Sequence, residues 1–185
     1  MIGNLKEIKE WLGIPASLGD EGIMITAVST DTRTIGPGSL FVALKGENFD
    51  GDDYVGSALE KGAVAAITHR PGKGDSRLIQ VPDTLQAYGA LARGYRLAKG
   101  FTVVGITGSS GKTTTKDMVA AVLSTAYRVV KTEKNNNNQV GLPLTILSAP
   151  EDAEILVLEM GMRALGEIAY LAEIALPDIA IITNI

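Results

Sequence analysis

The sequence has 185 residues, of which 45% are hydrophobic and 21% are charged, and its formal net charge is −4 at neutral pH. This length accommodates one large or two small domains. The absence of cysteine excludes disulfides and thiolate catalysis, and the absence of a basic tract argues against a nucleic-acid partner.

The first half of the chain predicts a small α/β domain. Leu5, Ile8 and Leu12 follow helical spacing, and Gly13 is suited to end that helix. The remaining predicted elements are strands at 23–29, 40–44, 63–68 and 77–81, a helix at 53–61, and a helix capped by Asp83.

After Lys99-Gly100 the pattern changes to strict alternation of strands and helices, so we predict two domains, 1–98 and 99–185. The second domain is predicted to contain strands at 101–106, 127–131, 154–159 and 178–183, with helices at 113–126, 142–148 and 166–176. Such alternation indicates a mostly parallel sheet covered on both faces. Ligands in such sheets bind beyond the carboxyl ends of the strands.

A glycine-rich segment lies at such a position, between the predicted strand 101–106 and the helix that follows. This strand–loop–helix context is typical of a phosphate-binding loop, in which backbone amides and the helix N-terminus surround an anion. The motif predicts that Lys112 reaches the outer phosphates of ATP and that Thr113 binds Mg²⁺. The loop residues are Gly108, Ser109, Ser110, Gly111, Lys112, Thr113 and Thr114.

The spacing of this loop departs from the general motif, which has a glycine five residues before Gly111. Ile106 stands at that position, and Gly105 lies one residue further away. An ordinary Gly/Ser turn is the alternative interpretation, but the flanking strand and helix favour phosphate binding.

Glu159 ends the apolar predicted strand 154–159, where nucleotide-binding sheets commonly supply a carboxylate to Mg²⁺. Taken alone, it is more typical of a solvated acid at a strand end, but its place beside a phosphate-binding loop favours Mg²⁺ binding. The segment 133–139 is rich in asparagine, and its composition favours a flexible loop.

By composition alone Arg33, the Lys45-Gly46 turn and His69 are surface residues.

Taken together, these segments resemble the amino-terminal part of the Mur ligase family. The resemblance rests on these segments: 30–33 (Thr-Asp-Thr-Arg), 37–46 with its Lys-Gly turn, 49–51, the loop 106–114, the element Asn135-x-Asn137-Asn138-x-x-Gly141-x-Pro143, 159–161 and 166–168. The asparagine element favours the branch of the family that adds D-alanyl-D-alanine to UDP-N-acetylmuramoyl-tripeptide. Residues 183–185 resemble the start of a segment that continues in the family to a histidine.

The resemblance implies an ATP-dependent amide ligase that forms an acyl phosphate during synthesis of peptidoglycan precursors. It implies catalytic roles for Lys112 and Glu159, and ATP and Mg²⁺ as ligands of the loop, Thr113 and Glu159. It implies contacts with the UDP-linked substrate from Thr32, Arg33, Lys45, Gly46, Asn135, Asn137 and Asn138. We expect a cytoplasmic monomer that is not embedded in a membrane, since the start at Met1 lacks a signal-peptide core.

The family also has a third domain, a carbamylated lysine and a histidine, which are not found in these 185 residues. We therefore expect a truncated ATPase domain and no ligase activity from this chain alone. Two alternatives stay open: a related amide ligase, such as a tripeptide-forming Mur ligase or a folylpolyglutamate synthetase, and a P-loop regulator. The absence of an Asn-Lys-x-Asp motif argues against a GTPase.

Overall fold

Two parallel four-stranded sheets form the framework of the protein. The computed structural model describes residues 1–46, 48–72 and 74–185. Its contacts divide the chain into two compact units, Met1–Leu91 and Ala92–Ile185. The predicted α/β class with a mostly parallel second sheet is therefore confirmed.

The first unit begins with an antiparallel pair of short strands, β1 (Gly3–Asn4) and β2 (Met24–Ile25), around helix α1 (Leu5–Trp11). The predicted strand 23–29 is divided, because β2 pairs with β1 whereas β3 (Ala27–Ser29) joins the parallel sheet. The Thr26 amide, between them, donates to the carbonyl of Gly38 at 2.9 Å.

The larger sheet of this unit has the strand order β3-β4-β5-β6, with all neighbours parallel. A 3₁₀ turn at Gly51–Tyr54 precedes helix α2, where one longer helix was predicted. Small side chains let α2 pack closely, and the core contains Phe41, Ala43, Ala58, Ala63 and Ala66. The other elements are β4 (Ser39–Val42), α2 (Val55–Glu60), β5 (Ala63–Thr68) and β6 (Leu78–Gln80).

Helix α3 (Thr84–Lys99) crosses the division between the two units. Asp83 caps it, as expected, by accepting hydrogen bonds from the amides of Leu85 and Gln86 at 2.8 and 3.0 Å. The domain limits 1–98 and 99–185 lie at the end of this same helix and stay a prediction.

The second unit alternates strands and helices as predicted, and its strand order is β10-β7-β9-β8, with all neighbours parallel. The glycine loop and Glu159 lie at the carboxyl ends of the two central strands, β7 and β9. The elements are β7 (Thr102–Thr107), α4 (Lys112–Leu123), β8 (Val129–Lys131), α5 (Gly141–Leu147), β9 (Ile155–Glu159), α6 (Glu167–Ala175) and β10 (Ile179–Ile182).

The two central strands are buried because helices pack on both of their faces. Ala120 of α4 packs against Val104, Ile106 and Val157 on one face. The side chains of Leu156 and Leu158 alternate to the other face, and both are fully buried. Since each strand is covered twice, it reads as a continuous apolar run.

Helix α6 ends at Leu176, which has a left-handed φ of 46°. Arg96 of α3 donates to the carbonyls of Ala175 and Leu176 at 3.2 and 2.9 Å and to Asp178 at 2.6 Å. These bonds satisfy carbonyls that the end of a helix leaves without intrahelical donors. In the described part of the chain, no helix combines the length and the hydrophobicity needed to cross a membrane.

Candidate nucleotide-binding site

The glycine loop joins β7 to α4, as the sequence predicted. Gly108 and Gly111 both have positive φ, +140° and +78°, which glycine adopts without strain. At Gly108 the space is also closed, because an added Cβ would lie 2.3 Å from the Thr183 hydroxyl oxygen. The loop therefore requires glycine at 108 for two independent reasons.

Helix α4 begins directly at Lys112, and no side chain caps its N-terminus. The first amides of a helix have no intrahelical acceptor, so those of Lys112, Thr113 and Thr114 are directed out of the helix end. Together with the helix dipole, they make this end suited to an anion. The Lys112 ammonium lies over the loop and donates to the carbonyl of Gly108 at 2.6 Å.

Glu159 ends β9, beside the loop, and is only 3% exposed. Its Oε2 accepts a hydrogen bond from the Thr113 hydroxyl at 2.9 Å, and its Oε1 accepts one from the Asn137 amide group at 2.8 Å. Its backbone amide donates to the Thr132 hydroxyl at 2.9 Å. The structure therefore brings together three residues that were predicted for the site from separate segments.

A divalent cation fits this arrangement. A buried carboxylate needs a compensating charge, and within the described residues no lysine, arginine or histidine forms an ion pair with Glu159. A hydroxyl beside a carboxylate is an all-oxygen donor set of the kind that Mg²⁺ prefers. The residues that would hold the ion are Thr113 and Glu159.

Two further residues support this edge of the sheet. Lys116, on the first turns of α4, is 3% exposed and donates to the Thr132 carbonyl at 2.9 Å. Because the Thr132 hydroxyl binds the Glu159 amide, the end of β9 is tied to α4. Sequence reasoning missed both Lys116 and Thr132, since a lysine on a helix and a threonine after a strand carry no distinguishing pattern.

The residues that follow β10 contact the loop directly. The Thr183 hydroxyl donates to the Thr107 carbonyl at 3.2 Å, and the Asn184 carbonyl accepts from the Ser109 amide at 3.0 Å. The sequence singled out 183–185 only through the family resemblance. Its contact with the loop depends on the pairing of β10 with β7, which the sequence did not specify.

The asparagine segment 133–139 forms hydrogen bonds through its own side chains, and its asparagines have different partners. Asn138 accepts from the amides of Val140 and Gly141 at 3.0 and 2.9 Å and so provides an acceptor for the first amide of α5. Asn137 reaches Glu159, whereas Asn135 is exposed. The structure confirms a loop in this segment, and side-chain hydrogen bonds of Asn137 and Asn138 connect it to the neighbouring elements.

In the first unit, Thr32 and Arg33 line a cavity of about 530 Å³. Arg33 donates two hydrogen bonds from Nε to Asp31, at 2.9 and 3.0 Å, and these bonds lower the pKa of Asp31 to about 2. Phe49, which the family resemblance included, and Tyr54, which the sequence did not single out, are about half exposed and line the same cavity.

Lys45 lies elsewhere, in a cavity of about 330 Å³ that it shares with His69 and the start of α3. Gly46 packs against Phe49, since an added Cβ would lie 2.3 Å from the ring. The structure therefore separates Lys45 from Thr32 and Arg33. His69 lies between Asp50 and Asp52, 2.9 Å from the latter, and is only partly exposed.

Comparisons with known proteins identify the family. A model described as the Mur ligase family, catalytic domain, matches residues 24–96, and one described as the Mur ligase middle domain matches 106–185. The chain belongs to the Mur ligase family. The matches follow the chain order of the two α/β units.

Curated relatives of the chain include D-alanyl-D-alanine ligases. The chain is 50% identical over 185 residues to UDP-N-acetylmuramoyl-tripeptide–D-alanyl-D-alanine ligase of Bacillus subtilis, covering 98% of this chain and 40% of the relative. The ligase of the same name from Escherichia coli is 42% identical, covering 88% of this chain and 36% of the relative. The chain thus spans about 40% of the length of the curated relatives it matches.

Solved structures agree with this assignment. MurF from Acinetobacter baumannii superposes with a TM-score of 0.86 at 32% identity, covering 97% of this chain and 40% of that one. MurF ligase from Thermotoga maritima, in complex with ADP, has a TM-score of 0.79 at 41% identity, covering 85% of this chain and 37% of that one.

Proposed function

We propose that the protein to which this chain belongs adds D-alanyl-D-alanine to UDP-N-acetylmuramoyl-tripeptide, using ATP and forming an acyl phosphate. The observation that carries this proposal is the glycine loop with Thr113 bonded to the buried Glu159, in a chain 50% identical to a ligase of that name. The ADP complex of the Thermotoga maritima relative supports a nucleotide at this loop.

Lys112 and the first amides of α4 are proposed to bind the phosphates of ATP. In the structure the Lys112 ammonium donates to the Gly108 carbonyl, and a phosphate oxygen would replace that acceptor. Two anions, a carboxylate and ATP, must meet in this reaction, so fixed positive groups lower its barrier. Mg²⁺, held by Thr113 and Glu159, would neutralise further phosphate charge.

The UDP-linked substrate is proposed to bind the first unit and the asparagine segment. The cavity lined by Thr32 and Arg33 has a guanidinium for polar groups and the half-exposed rings of Phe49 and Tyr54 for a planar base. Lys45, Gly46, Asn135, Asn137 and Asn138 complete the proposed contacts. We further propose a cytoplasmic monomer.

The test is a ligase assay on the longer protein with ATP, Mg²⁺ and UDP-N-acetylmuramoyl-tripeptide. We expect product with D-alanyl-D-alanine and none when meso-diaminopimelate or lysine is offered with the dipeptide substrate. Activity only with the latter pair would assign the protein to a tripeptide-forming ligase instead. In the same assay, Arg33→Ala should raise the KM for the UDP-linked substrate more than the KM for ATP.

The 185-residue chain by itself should form no product in this assay. Ligation requires the acceptor amine to be held about 3–3.5 Å from the acyl phosphate in a site closed to water. The chain spans only about 40% of the length of its relatives. A rate comparable to that of the longer protein would show that the catalytic residues have been misassigned.

A further inference from the structure

Asn137 forms a hydrogen bond with only one of the two carboxylate oxygens of Glu159. The two oxygens of Glu159 have different partners, since Oε1 accepts from Asn137 and Oε2 accepts from Thr113. Thr113 follows the phosphate-binding lysine, so the Oε2 side is the side of the proposed metal ion. Oε1 is the side held by the protein.

Asn137 is itself held in place. Its carbonyl accepts from the Gly161 amide at 2.8 Å. An added Cβ at Gly161 would lie 3.1 Å from Cγ and from Nδ2 of Asn137, so the side chain is packed closely against this glycine. A side chain that is fixed by packing on one side can fix its own hydrogen-bond partner on the other.

From this geometry we infer that Asn137 is a positioning residue that keeps Glu159 a one-oxygen ligand and thereby sets the preference of the site for Mg²⁺ over Ca²⁺. The inference rests on the proposed function, and it gives Asn137 a role toward the metal in addition to the substrate contact proposed above. Asn137 acts through Glu159 and is not itself a metal ligand.

The chemistry of the two ions supplies the reason. Mg²⁺ is small, requires near-octahedral geometry, and is usually bound by one or two carboxylates with several waters. Ca²⁺ accepts more ligands in looser geometry and readily takes both oxygens of a carboxylate. The bond from Asn137 holds Oε1 toward the asparagine segment and leaves Oε2 directed at Thr113, so Glu159 presents one oxygen to the proposed ion, and this arrangement suits Mg²⁺.

The test measures ADP binding by calorimetry at a series of Mg²⁺ and Ca²⁺ concentrations, with four proteins and one further control variant compared. They are the unmodified chain, Asn137→Ala, Glu159→Gln and the double variant. Asn136→Ala is the matched control, because it removes the same group from the neighbouring residue. ADP affinity without metal reports whether the loop and the fold are intact.

We expect Asn137→Ala to weaken Mg²⁺ binding to the ADP complex by about 10- to 100-fold, as is usual when a partner of a metal ligand is removed. Ca²⁺ binding should fall by a smaller factor, because the released Oε1 becomes available to it. Metal-free ADP affinity should stay within about two-fold. The double variant should bind Mg²⁺ no more weakly than Glu159→Gln, since Asn137 acts only through Glu159.

Three results would overturn the inference. They are unchanged Mg²⁺ binding in Asn137→Ala, equal losses for Mg²⁺ and Ca²⁺, and additive losses in the double variant. Failure of the unmodified chain to bind ADP, with or without metal, would instead count against the proposed function itself. Unchanged metal binding with a raised KM for the UDP-linked substrate in the longer protein would leave Asn137 with the substrate role alone.

Discussion

At the scale of single residues, the candidate site depends on a few polar groups that differ in burial and in hydrogen-bond partners. Glu159 is buried with three hydrogen-bonded neighbours, whereas Lys112 is only half buried and bonded within its own loop. The site therefore has a cation, Lys112, that a ligand can reach and an anion, Glu159, that is held in the interior. Such a division suits a ligand that is itself a complex of phosphate and metal.

Lys112→Ala should weaken ATP binding about 10- to 100-fold, which corresponds to the roughly 1.5–3 kcal/mol of a charged hydrogen bond. The measurement is calorimetry with ATP and Mg²⁺. Lys131→Ala serves as control, because it removes the same charge from an ion pair with Asp117 that lies away from the loop. Unchanged affinity in Lys112→Ala would refute the assignment of the loop.

Acid should destabilise the protein in part through Asp31 and Asp75. Hydrogen bonds from Arg33 and Arg77 lower the pKa of each carboxyl from 3.8 to about 2. A lowered pKa in the folded state stabilises the fold above the ordinary pKa, and this contribution is lost as the pH falls from about 4 to 2. The Asp31→Asn/Asp75→Asn double variant should therefore show a flatter dependence of Tm on pH over this range. An unchanged slope would contradict it.

At the scale of elements, the termini of helices decide where the functional groups lie. The uncapped start of α4 follows the glycine loop, and Asn138 accepts from the first amide of α5 at the end of the asparagine segment. The last turns of α3 stabilise the second unit, because Arg96 bonds to the end of α6. Helix ends thus serve both the ligand and the framework.

Arg96→Ala should lower the free energy of unfolding by about 2–3 kcal/mol, because it removes a charged donor and leaves helix carbonyls without partners. Urea denaturation measures the loss. Arg93→Ala is the matched control, since Arg93 lies one turn earlier in the same helix, is exposed and makes one bond at 3.2 Å to the Glu173 carbonyl. Equal losses in the two variants would show that the Arg96 bonds contribute little.

At the scale of the whole molecule, two α/β units succeed each other along one chain. Both have parallel sheets, although their strand orders differ. Helix α3 is continuous from Thr84 to Lys99, so a division of the chain at 98/99 places Arg96 in the first domain. Expressed fragments can therefore test the proposed domain limits.

A fragment of residues 84–185 should unfold cooperatively at a higher urea concentration than a fragment of 99–185. Only the longer fragment retains Arg96 and its bonds to Ala175, Leu176 and Asp178. Circular dichroism during urea titration is the measurement. Equal midpoints would support 98/99 as the structural boundary as well as the sequence-based one.

The amino-acid pattern alone predicts most of the strands and helices and the position of the glycine loop. Runs such as 101–106 and 155–158 are apolar because they are buried on both faces, and the glycines of the loop are needed for its local backbone. These are short-range effects, so they can be read from neighbouring residues. The positions of Lys112, Thr113 and Glu159 at strand and helix ends follow from the same patterns.

Only the tertiary structure decided which of these residues meet. Asn137 and Glu159 are 22 residues apart, and Thr113 and Glu159 are 46 apart. These contacts depend on strand order, which places β9 between β7 and β8, and hydrophobic pattern does not fix that order because the strands could exchange places without changing the pattern. The same holds for Arg96, 82 residues from Asp178, and for the separation of Lys45 from Arg33. Long-range packing sets these distances, and no local segment of the sequence encodes them.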